Sequence, residues 1–172
     1  MDKYNFYKSF YDRELNRRKD LDASINLPLT LIGILITANT YLAKPLFPIN
    51  SICEINYKQI LVLLFFIIII FTTTYLAKSY NNFFKAFRYI NIGNYLELRQ
   101  HEKNIKAYNG NPANAKNQID FDEQVLEKII SFAENHCTIN DKRSYNLYIA
   151  KTGIFISIIS TIINYIFIAT IK

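Results

Sequence analysis

Three long stretches without charge interrupt a chain that is otherwise mixed in polarity. Residues 23 to 43, 59 to 77 and 152 to 171 contain no Asp, Glu, Lys, Arg or His, which gives uncharged runs of 21, 19 and 20 residues. About 20 helical residues, rising ~1.5 Å each, cover the ~30 Å hydrocarbon core of a bilayer. The pattern therefore predicts an all-α membrane protein with three transmembrane helices.

The segments outside these runs also have a helical period. Residues 2 to 22 repeat aromatic or long side chains at spacings of three and four, which predicts an amphipathic helix with one aromatic stripe. We expect the second span to continue past the membrane as one long helix to about residue 107 and to receive that stripe. The stripe is Tyr4, Tyr7, Tyr11, Leu15 and Arg18, and its expected partners are Phe83, Phe84, Phe87, Tyr95 and Leu98.

Turn-forming residues divide the segment between the second and third spans. The stretch NGNPANAKNQ, residues 109 to 118, combines Gly, Pro and Asn and predicts a loop. Asp120, with Glu123 three residues later, resembles a helix-capping pair. A helix is therefore expected from Asp120 to about Ala133.

Helix starts are expected at two other places. Pro28 lies just inside the first uncharged run, where its ring opposes a regular continuation, so a bend or a fresh start is expected between Ser24 and Pro28. Thr138 or Asn140 is expected to cap the last helix, which would continue through the third span. The resulting organisation is a cytoplasmic helix over 1–22, spans at 23–43, 59–77 and 152–171, an outer loop at 44–58, and a cytoplasmic helical region at 78–151 with its loop at 109–118.

Basic residues are distributed unevenly between the two sides of these spans. Seventeen of the 20 Lys and Arg lie in the N-terminal segment or between the second and third spans, and three lie in the first loop or at the C-terminus. Because basic flanks stay on the cytoplasmic side, we expect a multi-pass protein of the cytoplasmic (inner) membrane, with the N-terminus inside and the C-terminus outside. This rule accounts for the net charge of +6, so binding to nucleic acid is not expected.

The same pattern argues against several functional classes. No ionisable side chain lies in the three runs, which disfavours proton relays, ion-coupled carboxylate sites and voltage sensing. Three spans are too few for a typical inverted-repeat transporter. The longest stretch between spans, residues 78 to 151, is too short for a large catalytic domain. Cys53 and Cys137 are expected on opposite sides of the membrane, so no disulfide within the chain is predicted.

Candidate catalytic and metal-binding residues are few. His101 and His136 belong to no spaced Cys or His motif, and neither follows an Arg by the four to six residues typical of the HEPN type of helical ribonuclease. A Cys137 nucleophile is a lesser alternative. Helix capping explains the carboxylates of Asp120, Asp122, Glu123 and Glu127. We therefore expect no catalytic residue, no metal and no cofactor.

Uncharged polar residues follow one face of the first and third spans. In the first span their spacings of four, three, four and three place them within about 80° of the helix circumference. The third span repeats spacings of four, three and four, whereas the middle span is apolar from Ile60 to Phe71. The two stripes are Asn26, Thr30, Gly33, Thr37 and Thr40 in the first span, and Gly153, Ser157, Ser160 and Asn164 in the third.

Three interpretations of these stripes stay open. Small and hydroxyl-bearing side chains allow close helix packing and interhelical hydrogen bonds, so the stripes could pack within one subunit. Copies could instead associate with one stripe lining a water-filled path, or form a dimer without a path. The nine residues are therefore predicted to line a pore or to pack helices, because both roles need the same composition.

The order of elements over residues 1 to 108 resembles a known family. A charged aromatic helix ending in ELNRRKDLDASINLPLTLIGILI, two spans joined by a short outer loop and a long cytoplasmic helix are similar to the SLATT family of small bacterial membrane effectors. The resemblance implies an antiphage-defence protein that oligomerises and permeabilises or depolarises the host membrane. The third span departs from the two-span plan of the family. Small membrane accessory proteins of RNA-targeting CRISPR systems are a neighbouring alternative with a similar implied outcome.

The leading hypothesis is a non-enzymatic, oligomeric membrane effector whose cytoplasmic helices receive a defence-system protein or a nucleotide signal. The alternative is a membrane anchor or scaffold that recruits a soluble enzyme or an RNA-guided defence complex through those helices. Only the first hypothesis predicts ion flux through the protein.

Overall fold

The computed structural model describes residues 2–46, 57–80, 88–91 and 93–170, and helix is the only regular secondary structure in them. Five α-helices and two 3-10 turns lie in these ranges. The helices are α1 (Lys3–Ala23), α2 (Asn26–Ala43), α3 (Tyr57–Ser79), α4 (Tyr95–Asn109) and α5 (Phe121–Thr170), and the turns are Lys44–Leu46 and Pro112–Asn114. The all-α prediction is confirmed for these residues.

Three helical segments are long and apolar enough to span a membrane. They are Lys3–Ala43, Tyr57–Ser79 and Phe121–Ile168, and each overlaps one of the predicted uncharged runs. Large apolar side chains are exposed on α2, α3 and α5; Leu27, Leu63 and Phe155, for example, are 68%, 61% and 64% exposed. Such a surface suits hydrocarbon better than water.

The first span starts afresh after a short interruption. α1 ends at Ala23, Ser24 and Ile25 form a turn, and α2 begins at Asn26. Pro28 is the third residue of α2, where a missing N–H removes no intrahelical bond because the first turn of a helix has no acceptors for its N–H groups. The predicted fresh start between Ser24 and Pro28 is confirmed.

The predicted continuous helix from the second span to about residue 107 is wrong. Residues 88–91 and 93–94, which precede α4, are not helical. The backbone of Ile90 bonds to side chains of α5, because its N–H donates to Asn135 Oδ1 over 3.2 Å and its carbonyl oxygen accepts from His136 Nε2 over 2.9 Å. These tertiary hydrogen bonds replace those that a continuous helix would supply.

Within the aromatic stripe of α1, Tyr11 packs on α5, whereas Tyr4 is 41% exposed. Tyr11 is buried, and its ring lies 5.4 Å from the His136 ring, centroid to centroid. Tyr95 is 77% exposed, so the expectation that it receives the stripe is wrong. Leu98 is half-buried, and the other expected partners, Phe83, Phe84 and Phe87, lie outside the described residues.

The loop predicted between α4 and α5 is confirmed. Asn109 closes it with two hydrogen bonds to Ile119, donating from Nδ2 to the carbonyl oxygen over 2.8 Å and accepting from the N–H over 2.9 Å. Asp120 caps α5. Its Oδ1 accepts from the N–H of Asp122 over 2.9 Å, whereas the expected capping partner was Glu123.

α5 runs without interruption for 50 residues, so the expected helix end near Ala133 and the new cap at Thr138 or Asn140 are wrong. No Gly or Pro lies between Phe121 and Thr152 to stop the helix. The side chain of Asn140 is fully buried and bonds to other elements, so it does not compete for the helix backbone.

The chain divides into two compact units, each with its own core. The first, called the polar unit below, comprises Met1–Lys19 and Arg88–Asn140, and the second, the apolar unit, comprises Asp20–Phe87 and Asp141–Lys172. Buried apolar side chains of the polar unit are Tyr11, Ile105, Leu126, Ile129 and Ile139. The core of the apolar unit is Leu21, Ile25, Ile32, Leu35, Phe65, Ile69, Leu76, Leu147, Ala150 and Ile154.

Candidate functional site

The polar side chains of the candidate spans, all in the apolar unit, form the candidate site, and the third-span stripe lies inside the protein. Gly153, Ser157 and Asn164 are buried, and Ser160 is half-buried. A Cβ placed on Gly153 would overlap the hydroxyl of Thr72 and lie 3.1 and 3.2 Å from its Cβ and Cγ2. Gly153 therefore allows α3 and α5 to approach closely.

A ladder of hydrogen bonds continues along this stripe and joins α5 to α2. Asn164 donates from Nδ2 to Asn39 Oδ1 over 3.0 Å, and Asn39 donates to Thr161 Oγ1 over 2.7 Å. The hydroxyls of Thr161 and Ser157 each donate over 2.8 Å to the carbonyl oxygen four residues earlier. Asn164 Oδ1 is buried without a hydrogen-bond partner in the described part of the chain.

The first-span stripe lies on the protein surface. All five of its residues, Asn26, Thr30, Gly33, Thr37 and Thr40, are exposed. On a helical wheel they lie on the side of α2 away from the buried Ile32, Leu35 and Asn39. No atom lies within 4 Å of a Cβ placed on Gly33, so this face of α2 has an open furrow.

The two predicted stripes thus have different surroundings. The α5 stripe packs against α2 and α3 within one chain, whereas the α2 stripe is exposed, and its Thr37 and Thr40 line an open groove together with Phe66 of α3. The hydroxyls of Thr30 and Thr37 donate to the carbonyl oxygens of Asn26 and Gly33 over 3.1 and 2.9 Å. Their donors are satisfied within α2, and their oxygens stay accessible for further hydrogen bonds.

Asn39 is part of the buried ladder and was missed from the sequence. It is 0% exposed and bonds to Leu35, Thr161 and Asn164. The sequence contained one signal for Asn39, the residue type itself. Burying an Asn side chain in an apolar segment costs free energy unless the amide finds hydrogen-bond partners. It was overlooked because it lies outside the polar stripe of its own helix.

Arg143 forms a second polar cluster of the apolar unit, and it too was missed. Its side chain is fully buried, with Nε donating to the Ser79 carbonyl oxygen over 2.8 Å and Nη2 to Asp22 Oδ1 over 2.5 Å. Ser79 is the last residue of α3, where free carbonyl groups give the helix end a partial negative charge. Arg143 therefore ties the ends of α1 and α3 to α5.

The polar unit contains a third cluster, centred on Glu14, which is 2% exposed. Asn140 donates to its backbone carbonyl and to its Oε2 over 2.9 and 3.0 Å, and Arg13 donates to its Oε1 over 3.1 Å. Tyr89 donates its hydroxyl proton to Asn140 over 2.7 Å, and the guanidinium of Arg18 lies 4.3 Å from the Tyr89 ring centroid. The carboxylate is thus buried with charge and hydrogen-bond partners.

The residues considered for catalysis or metal binding have different neighbours in the structure. His101 Nε2 lies 3.0 Å from Gln124 Oε1, Cys137 is half-buried, and Asp120 caps α5. Among the described residues, no group of three or more His, Cys, Asp or Glu side chains could hold a metal ion.

Comparison with known proteins adds no assignment. No protein-family model, curated protein or solved structure matches this chain. The resemblance in element order over residues 1 to 108 therefore stays a prediction.

Proposed function

We propose that this protein is a non-enzymatic, multi-pass effector of the bacterial cytoplasmic membrane, and that its copies associate and permeabilise or depolarise that membrane. The observation that carries the proposal is the exposed polar stripe of α2, which is Asn26, Thr30, Gly33, Thr37 and Thr40. The corresponding stripe on α5 packs against other helices of the same chain, so it is not available to another copy.

The position of the α2 stripe favours association with another copy. In a bilayer, a furrow lined by small side chains loses packing against lipid, and a second helix that fills it recovers van der Waals contact and hydrogen bonds. The large neighbours Leu29 and Ile34 are both 59% exposed and flank the furrow. The furrow suits a facing helix better than it suits lipid chains.

The chemistry of the stripe also suits a water-filled path. Uncharged hydroxyl and amide groups hold water without the cost of a buried charge. Thr30 and Thr37 keep acceptor capacity after bonding within α2. An arrangement of copies in which these residues face a common axis would pass ions and small water-soluble dyes, and one in which they pack together would be closed.

The distribution of basic residues and the order of the helices also support the proposal. The bias of Lys and Arg supports a cytoplasmic N-terminus and a cytoplasmic polar unit. The element order similar to SLATT proteins supports a role in antiphage defence. A defence-system protein or a nucleotide on the cytoplasmic side would have to bind the open arrangement more tightly than the closed one, since equal affinity shifts nothing.

The test is dye release from vesicles that contain the purified full chain. The double variant Thr30→Leu/Thr37→Leu removes the hydroxyls and fills the furrow, so we expect release to fall at least tenfold with the same amount of protein inserted. The matched control is Thr73→Leu/Thr74→Leu, which makes the same change at two exposed threonines of α3 and should keep release near that of the natural chain.

Two results would count against the proposal. Equal release by both double variants would remove the stripe from the conducting path. No release by the natural chain, together with a particle mass of one 20.2 kDa polypeptide, would favour the membrane anchor that recruits a soluble partner.

A further inference from the structure

One side of α1 combines exposed aromatic rings with positive charge. Lys3, Phe6, Phe10, Arg13 and Arg17 follow spacings of three, four, three and four, which places them within about 80° of the helix circumference and along about 21 Å of its length. Phe6 and Phe10 are 39% and 36% exposed, and their rings touch with centroids 4.9 Å apart. These five residues are called the basic–aromatic face.

Positive charge stays available on this face. The side chain of Arg13 is 62% exposed, and its guanidinium lies 4.7 Å from the Phe10 ring centroid. Its contacts to Glu14 use Nε and Nη2 and leave Nη1 free to donate outward. The N-terminal end of the face carries the exposed Lys3.

The exposed side of α5 in the same unit has the opposite charge. Glu123, Glu127 and Glu134 are spaced by four and seven residues, within about 40° of the helix circumference and along about 17 Å. They lie on the side of α5 away from the buried Ile129 and His136. None of the three forms an ion pair within the described part of the chain. These residues are called the acidic face.

Contacts inside the polar unit show which residues of α1 lie level with which residues of α5. Tyr11 packs on His136, and Asn140 bonds to Glu14, so α1 and α5 run in the same direction. The N-terminal residues of α1 line a cavity together with residues 120–126 at the start of α5. Lys3 is therefore close in height to Glu123, whereas Arg13, which precedes Glu14, lies level with residues 138 to 140, about one helical turn beyond Glu134.

We propose that the basic–aromatic face of α1 in one copy docks on the acidic face of α5 in the next copy. The inference rests on the association of copies in the proposed function and names the surfaces through which the polar units meet. Copies inserted in one bilayer with the same orientation are related by rotation about the membrane normal, so every residue keeps its height. Opposite charges then meet within about one helical turn of the same height, which long Arg, Lys and Glu side chains can span, and the Phe6 and Phe10 rings are covered.

Such a contact uses two different surfaces, so it repeats from copy to copy and closes into a ring when the rotation allows. Charge reversal on one face should break it, because like charges would then oppose each other. Two variants reverse one face each. The acidic-face variant is Glu127→Lys/Glu134→Lys, and the basic-face variant is Lys3→Glu/Arg13→Glu.

The measurement is particle mass after mild detergent extraction of the full chain. We expect the natural chain to form a multimer and each variant alone to give a smaller particle, because only the α2 contact between copies is left. When both variants are produced in one membrane with different tags, every contact between unlike chains pairs opposite charges again. The multimer should then return and carry both tags, a recovery that misfolded chains would not show.

The control is Lys103→Glu/Lys116→Glu, which changes net charge as much as the basic-face variant but at exposed sites of α4 and the following loop. It should leave the multimer intact. Unchanged multimers in both face variants, or no recovery on co-production, would overturn the docking while dye release by the natural chain would keep the proposed function. A natural chain of single-chain mass, with no dye release, would overturn both.

Discussion

His136 differs from most buried polar side chains of this protein because one of its ring nitrogens has no partner. Nε2 donates to the Ile90 carbonyl oxygen over 2.9 Å, so Nε2 carries the proton, and Nδ1 is buried without a hydrogen-bond partner in the described part of the chain. Burial chiefly, and then the charge of Arg18, lower the pKa of His136, while the bond to Ile90 and the charge of Glu14 oppose this. The imidazole is therefore neutral at pH 7.

Acidification should destabilise the polar unit through His136. Below the ordinary pKa of about 6.5, the unfolded chain takes up a proton that the folded chain binds less well, so the free energy of unfolding falls as pH decreases through that value. We expect amide hydrogen exchange of α1 and of α5 around residue 136 to be faster at pH 5.5 than at pH 7.5, after correction for intrinsic rates.

The variant His136→Gln keeps a donor for Ile90 but cannot titrate, so it should flatten this pH dependence. His101→Gln, at the other histidine, is the control and should retain it. If His136→Gln kept the full pH dependence, another group would have to be responsible.

In the apolar unit, polar residues on different faces of the helices have different surroundings. α2 buries Asn39 against α5 and exposes a polar stripe on its other side, and α5 buries its own polar stripe. Each stripe contains one glycine, Gly33 in α2 and Gly153 in α5, but the two glycines have different surroundings in the structure. A Cβ on Gly153 would overlap Thr72, and a Cβ on Gly33 would meet nothing within 4 Å.

Alanine at these two glycines should therefore have opposite effects on the isolated chain. Gly153→Ala should destabilise it by about 1–3 kcal/mol, because α3 and α5 have to separate. Gly33→Ala should be neutral or stabilise it by up to about 1 kcal/mol, because alanine favours helix. Thermal unfolding in detergent, followed by circular dichroism, compares the two variants.

A second change tests the cause. Thr72→Ala removes the overlapping hydroxyl, so it should recover most of the loss in a Gly153→Ala chain. A Gly153→Ala chain that unfolds at the same temperature as the natural one would contradict the close approach of α3 and α5.

The orientation of the whole protein rests on charge and makes a prediction for its two cysteines. Cys53 lies in the predicted outer loop, and Cys137 lies in the polar unit, which is expected to be cytoplasmic. A membrane-impermeant maleimide added to intact spheroplasts should label a Cys137→Ser chain and not a Cys53→Ser chain. Both chains should react after denaturation. Labelling of the Cys53→Ser chain in intact spheroplasts would contradict a cytoplasmic polar unit.

Local pattern alone was enough to predict the helical class, the three apolar segments, the break before Pro28 and the loop after α4. Each depends on interactions within a few residues: hydrophobic content per turn, the missing N–H of proline, or turn formation by Gly and Asn. The same local rules predicted helix through residues 88–94 and a cap at Asn140, and both predictions failed. There, partners distant in sequence, Asn135 and His136 for Ile90 and Glu14 for Asn140, supply the hydrogen bonds.

Only the tertiary structure decided which polar residues are buried and which are exposed. The stripes of α2 and α5 have the same spacing and the same chemistry, so composition cannot separate them. Packing against α3 and Asn39 buries the stripe of α5, whereas the stripe of α2 is exposed, with open space beside Gly33. Arg143 could not have been chosen from the sequence either, because a charged residue outside the spans is normally solvated and only the ends of α1 and α3 give it partners.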